Sequence, residues 1–102
     1  MNKIISYMGF AQKSNNLIVG QTALKKTTKQ LHLIIVCDSA SQNLKDLAKN
    51  IATKHKCELI ISSVELSDLI QFNDVKIIGL TDENLSKAIQ NNKEKINFGK
   101  RN

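Results

Sequence analysis

The sequence predicts an α/β protein, a three-layer α/β/α sandwich with a central four-stranded mixed sheet and about five helices. Two observations carry this. Short apolar runs alternate with longer amphipathic stretches along the chain, the pattern of strands interleaved with helices. The clearest strand candidate, Leu33-Ile34-Ile35-Val36-Cys37, is apolar without alternation, as expected where helices cover both faces of a sheet. At 102 residues, 41% hydrophobic and 24% charged, the chain reads as one domain over residues 1–92 followed by a basic polar tail over 93–102.

Each element follows from its own spacing. Ile4, Ile5, Met8 and Ala11 recur at helical intervals, predicting a first helix over about residues 2–12. Ser14-Asn15-Asn16 suits a turn, because Asn tolerates a left-handed backbone, and leads into a short strand at Leu17-Ile18-Val19 that Gly20 ends. Residues 21–30 read as a second helix with Ala23, Leu24, Thr27 and Leu31 on one stripe and Lys25, Lys26 and Lys29 on the other. After the strand at residues 33–37, Leu44, Leu47, Ala48, Ile51 and Ala52 give the strongest helical period, with Ser39 or Ser41 as its N-cap. Leu59-Ile60-Ile61 is a third strand, and Ser63 caps a short helix burying Leu66, Leu69 and Ile70. Residues 75–80 form the fourth strand, and Thr81 or Asp82 caps a last helix through Leu85, Ala88 and Ile89.

Charge is unevenly spread. The formal net charge is +6, yet residues 1–37 hold five lysines and no carboxylate, residues 38–92 are net negative, and the tail is basic again. A polarised cationic surface favours a polyanionic partner, although a solvated lysine face in a lysine-rich chain accounts for the same numbers. Fourteen of the fifteen cations are lysine. Lysine neutralises phosphate as a point charge but lacks the guanidinium fork that reads guanine, so base recognition falls to other groups. The longest apolar run is far short of the about 18 residues a spanning helix needs, and no signal-peptide pattern opens the sequence, so a cytoplasmic protein without a membrane partner is expected. Cys37 and Cys57 suit reduced core positions better than a disulfide framework.

Several sites can be weighed against these elements. Asp38-Ser39, Ser62-Ser63 and Thr81-Asp82 stand at strand ends, where ligands gather in folds of this type. A phosphoacceptor domain would carry an acidic pair for Mg²⁺ after the first strand; here Gly20-Gln21-Thr22 stands there, and helix capping explains the three ends better. His32, His55, Cys37 and Cys57 lack the close spacing of a zinc site. Val19 to Lys26 has one glycine of a P-loop and no Gly-Lys-Ser/Thr ending. No catalytic residue, metal or cofactor is therefore expected, and an enzyme ranks behind a binding protein. What remains is the corner where the first strand meets the second helix. Gly20 permits close backbone approach, Gln21 and Thr22 can hydrogen-bond a base edge, and Lys25, Lys26 and Lys29 can neutralise phosphates. The plain alternative for Gly20 is a strand-to-helix turn.

Met8-Gly9-Phe10-Ala11-Gln12-Lys13-Ser14-Asn15-Asn16-Leu17-Ile18-Val19-Gly20 resembles the opening of the kink-turn-binding ribosomal protein family, of archaeal and eukaryotic large-subunit type with a small bacterial branch. Gly9, Ala11, Lys13, Leu17 and Gly20 match its pattern, and the similarity extends through the segments beginning at Leu33, Glu65 and Val75, over about residues 4–90. The resemblance implies an α/β/α sandwich that binds sharply bent RNA by shape, ribosomal RNA or the ribosome being the partner, with no DNA and a monomeric state. In the motif at the start of the family's second helix, Gly20 and Lys26 are retained here, while Thr22 and Ala23 replace an Asn and a Glu that contact guanines. The family's second contact is a loop that maps to about residues 71–74. It makes Phe72, a stacking platform or else a core residue, and Asn73 further candidates. Asp68 brings a negative charge near the same surface. The alternative is a protein–protein adaptor on this fold with weak or no RNA affinity, for which Thr22, Ala23 and Asp68 are the suggestive residues.

Overall fold

Leu33–Cys37, the non-alternating run, forms β2, and all five of its residues are buried. A computed structural model describes residues 3–63, 65–68, 70 and 74–92; Phe72, Asn73, Leu69 and the 93–102 tail lie outside the described residues. The remaining strands are β1 (Leu17–Val19), β3 (Glu58–Ser62) and β4 (Ile77–Leu80). The sheet order is β1-β4-β2-β3, with β2 and β3 parallel and the β1–β4 and β2–β4 pairs antiparallel. The mixed sheet follows from connectivity. A helix carries the chain from β2 to β3, which parallel pairing requires.

That helix is α3, Gln42–His55, and its caps are local chemistry. Leu44 N–H donates to Ser41 Oγ at 3.2 Å, so Ser41 rather than Ser39 is the N-cap. At the other end Lys56 takes a left-handed conformation (φ 55°), its N–H bonding back to α3. α1 (Lys3–Lys13) ends where Asn15 adopts φ 65° and Asn16 N–H reaches Ala11 O at 2.8 Å. The expected turn thus uses Asn for the positive φ it tolerates. α4 (Glu83–Asn92) is capped by Asp82, whose Oδ1 accepts from Leu85 N–H at 3.0 Å.

Two expected elements are shorter. α2 spans Gln21–Lys26 rather than running to residue 30. Thr27 turns extended (ψ 139°), Lys29 N–H is taken by Thr27 Oγ1 at 3.2 Å, and Leu31 is drawn fully into the core. Two β-branched threonines with weak helix propensity yield readily to these ties. The fourth strand begins at Ile77 rather than 75; Asp74 has φ 57° and Val75 N–H is bonded to Ser67 Oγ. The short helix after β3 is a single 3₁₀ turn, Leu66–Asp68, that still buries Leu66 and Ile70.

α1 packs against α4 on one side of the sheet, and α2 against α3 on the other. The core runs through both layers, centred on β2, Ile77, Ile78, Leu80, Leu31 and Met8. Every buried side-chain nitrogen or oxygen among the described residues has a partner. No helix of the described residues is long and apolar enough to cross a membrane.

Candidate functional site

Gly20 links β1 to α2 with φ 91° and ψ 154°, a conformation that a side-chain-bearing residue avoids. Its N–H donates to Ile77 O at 3.0 Å and its carbonyl accepts from Leu24 N–H at 3.1 Å. A Cβ at this position would meet nothing within 4 Å. The glycine therefore serves the turn, and the space over it is open to solvent.

Beside it lies an open groove of about 500 Å³. Val19, Gly20 and Gln21 form one wall, Leu44 of α3 another, and Asp74 to Ile77 the third. The start of α2 and Asp74, the described end of the second segment singled out by sequence, thus share one concavity. The groove is not purely cationic, since the exposed Asp74 carboxylate lines it.

Leu24 is the buried anchor of α2; Gln21, Thr22, Ala23, Lys25 and Lys26 face solvent. Lys25, Lys26 and Lys29 make no ion pair among the described residues. Lys25 and Lys26 stand in the last turn of α2, where they also complement the helix dipole. With six residues, α2 is about 9 Å long, so its dipole adds little at Gly20 and the cations carry the electrostatics. Of the candidates, Gly20 and Gln21 line the groove, while Thr22, Lys25, Lys26 and Lys29 do not. The chain leaves the sheet beside Ile77, where Gly20 bonds, and returns beside Leu80, which accepts from His32 N–H at 2.8 Å. Those positions are three residues apart, about 10 Å along a strand. Lys25 and Lys26 at the end of α2, and Lys29 beyond it, therefore lie on the stretch of chain that runs from Gly20 towards the opposite end of the sheet.

A cluster that the sequence reading missed stands at the groove's rim. Lys76 Nζ donates to Glu65 Oε1 at 2.8 Å and to Ser39 Oγ at 3.0 Å, and Ser39 Oγ donates to Glu65 Oε2 at 2.7 Å. Hydrogen bonds from Lys76 and then Ser39 hold the Glu65 carboxyl below its ordinary range, and the bond to Glu65 raises Lys76. Lys76 donates to both Ser39 Oγ and Glu65, and Ser39 Oγ donates to Glu65, so the cluster braces three segments of the chain against one another. Its members sit after β2, after β3 and before β4, and no spacing rule in the sequence joins them. Ser39 was readable as a strand-end polar residue and, preferably, as a possible helix cap.

Cys37 is buried inside the sheet end, its Sγ accepting from Leu66 N–H at 3.4 Å, and burial raises its thiol; burial also raises Cys57, which is half-buried. Both are free. Among the described residues no group of three or more His, Cys, Asp or Glu side chains could hold a metal ion. Asp68 is exposed on the 3₁₀ turn.

No protein-family model and no curated protein matches the chain. Solved structures do. One, described as a protein with unknown function from Bacillus halodurans, superposes with a TM-score of 0.74 at 18% identity, covering 89% of this chain and 96% of its own. At that identity the likeness establishes a shared fold.

Proposed function

We propose that this chain is a non-catalytic, cytoplasmic RNA-binding protein of the kink-turn-binding ribosomal type, recognising bent RNA through the start of α2, with ribosomal RNA as its target. The observation that carries the reading is the run of exposed lysines, Lys25, Lys26 and Lys29, without carboxylate partners among the described residues and leading away from Gly20. The groove supports it. A bulged nucleotide entering there meets Gly20 and Gln21 on one side and the end of the 71–74 loop on the other, while lysines along α2 neutralise the flanking phosphates. Thr22 supplies a hydroxyl for a base edge; Ala23 supplies nothing polar.

The test is titration of a kink-turn RNA and of an unbent duplex at several salt concentrations. With four or five lysines engaged, log affinity for the kink-turn falls with log salt at a slope of roughly −3 to −4. Lys25→Glu with Lys26→Glu abolishes binding and leaves the circular dichroism unchanged, because both side chains are exposed. Binding that survives the double reversal, or that ignores salt, rules out this face.

Asp74 in the groove favours the second reading, a protein–protein adaptor, because a carboxylate there repels phosphate. Partners that remain on the protein after ribonuclease treatment support the adaptor, and partners lost with the RNA support the first reading.

A further inference from the structure

We infer that His55 is a positioning residue for the cationic strip, fastening the loop after α2 so that Lys29 is held at a fixed place beside Lys25 and Lys26; the inference rests on the RNA reading above. Residues 27–32 form no regular element, yet they are tied at successive points. Lys29 N–H donates to Thr27 Oγ1 at 3.2 Å. Gln30 Nε2 donates to His55 O at 2.7 Å and to Leu31 O at 2.9 Å. Leu31 N–H donates to His55 Nδ1 at 3.1 Å, and the Leu31 side chain is fully buried.

The last residue of α3 thus supplies two acceptors to a segment 24 and 25 residues earlier in the chain. One is a helix-end carbonyl that has no acceptor role within the helix. The other is the ring nitrogen, which must be free of a proton to accept, leaving the proton on Nε2. Lys29 is bonded through its own N–H to Thr27, directly precedes the fastened Gln30, is exposed, and forms no ion pair among the described residues. A cation on a free loop would lose backbone freedom on meeting a phosphate; one on a tied loop has already lost it. The tie therefore acts on RNA through Lys29, without His55 touching the ligand.

The experiment uses the full chain with His55→Ala, His55→Asn, Gln30→Ala, Lys29→Ala and the His55→Ala/Lys29→Ala pair. Asn is chosen because its Oδ1 can stand where Nδ1 accepts. Amide hydrogen exchange at Leu31 reads the tie, and kink-turn RNA titrations over a salt series read the binding. In His55→Ala, Leu31 exchanges at least about tenfold faster, affinity falls about three- to tenfold, and the salt slope becomes shallower by about 0.7–0.9, the share of one phosphate contact. Asn restores both readouts, Gln30→Ala gives a milder form of both, and His55→Ala changes binding no further once Lys29 is gone. Independent, multiplying effects of His55 and Lys29 overturn the inference, as does a freed Leu31 amide with affinity and slope unchanged. If the wild-type chain binds no kink-turn RNA, the RNA reading fails and takes the role of Lys29 with it. If it binds, and Lys29→Ala weakens it while His55→Ala does not, only the positioning role is lost. Should His55→Ala unfold, Gln30→Ala carries the same comparison with the ring intact.

Discussion

The seat of α2 on the sheet can be tested by exchanging volume between two residues. Gly79 lies in β4, opposite Ile18 on one neighbour and Ile34 on the other. A Cβ added there would come within 2.6 Å of a Leu24 methyl, 3.2 Å of a Leu31 methyl and 3.3 Å of an Ile34 methyl. Leu24 is 2% exposed and is the buried residue of α2, while Leu31 and Ile34 are fully buried, so these methyls have no solvent to move into. Leu24→Ala leaves a cavity facing a glycine that cannot fill it, and costs about 3 kcal/mol. Unfolding entropy near 2.1 cal/mol/K per residue over 102 residues makes this a fall in Tm of about 14 °C. Gly79→Ala alone overpacks the site by ~1–3 kcal/mol and recovers ~0.5–1 because alanine suits a strand interior better, a net loss of about 1 kcal/mol or ~5 °C. In the Leu24→Ala background the same methyl enters vacated space. There it contributes ~0.8 kcal/mol of burial plus the backbone gain, so the double variant melts about 7 °C below wild type rather than the ~19 °C that additivity predicts. Thermal circular dichroism and urea midpoints measure the cycle. A Gly79→Ala effect of the same sign in both backgrounds refutes the packing argument.

Three other outcomes are expected. Because the folded Glu65 carboxyl is lowered by Lys76 and Ser39, its contribution to stability is present above the unfolded carboxyl's range and is lost as pH falls through the lowered folded value. Lys76→Ala should move the Glu65 titration, followed by carboxyl ¹³C shifts, up towards the ordinary range while the Ser39 bond still holds it below, and an unmoved titration contradicts the brace. Burial raises the Cys37 thiol, so its stabilising share is full below the unfolded thiol's range and is lost as pH rises through the raised folded value. A thiol reagent at neutral pH should modify half-buried Cys57 well before Cys37, and equal rates contradict the burial. Ser41→Ala should lower Tm by about 5 °C, the worth of an N-cap of ~1 kcal/mol. Ser39→Ala, which removes a bond from an exposed cluster, should lower it less, and the reverse order contradicts the cap assignment.

The fold was legible because its signals are local. The run at Leu33–Cys37 reads as doubly covered strand from five contiguous residues, and α3 announces itself through apolar residues three and four apart. The turn at Asn15 and the glycine at the end of β1 were equally visible, since only certain residues accept a positive φ. The end of α2 was not. Helical spacing continues to Leu31, and although Thr27 and its bond to Lys29 are local, the bonds that hold Gln30 and Leu31 off the helix come from His55, which no window around residue 27 contains. The candidate site divides in the same way. Gly20 and the lysines stand out by residue type, whereas the entry of Asp74 into the same groove and the joining of Ser39, Glu65 and Lys76 depend on which strand ends meet.

The amino-acid order alone therefore decided the identity and approximate extent of most elements and the uneven spread of charge, with no carboxylate in residues 1–37, since periodicity, capping chemistry and charge are properties of neighbouring residues. The tertiary structure decided where α2 stops, which serine caps α3, and which residues face one another across the groove. The Ser41 cap bond is itself local, but the bonds that hold the segment after α2 and that engage Ser39 elsewhere join residues 24 to 37 positions apart, which come together only when the sheet closes.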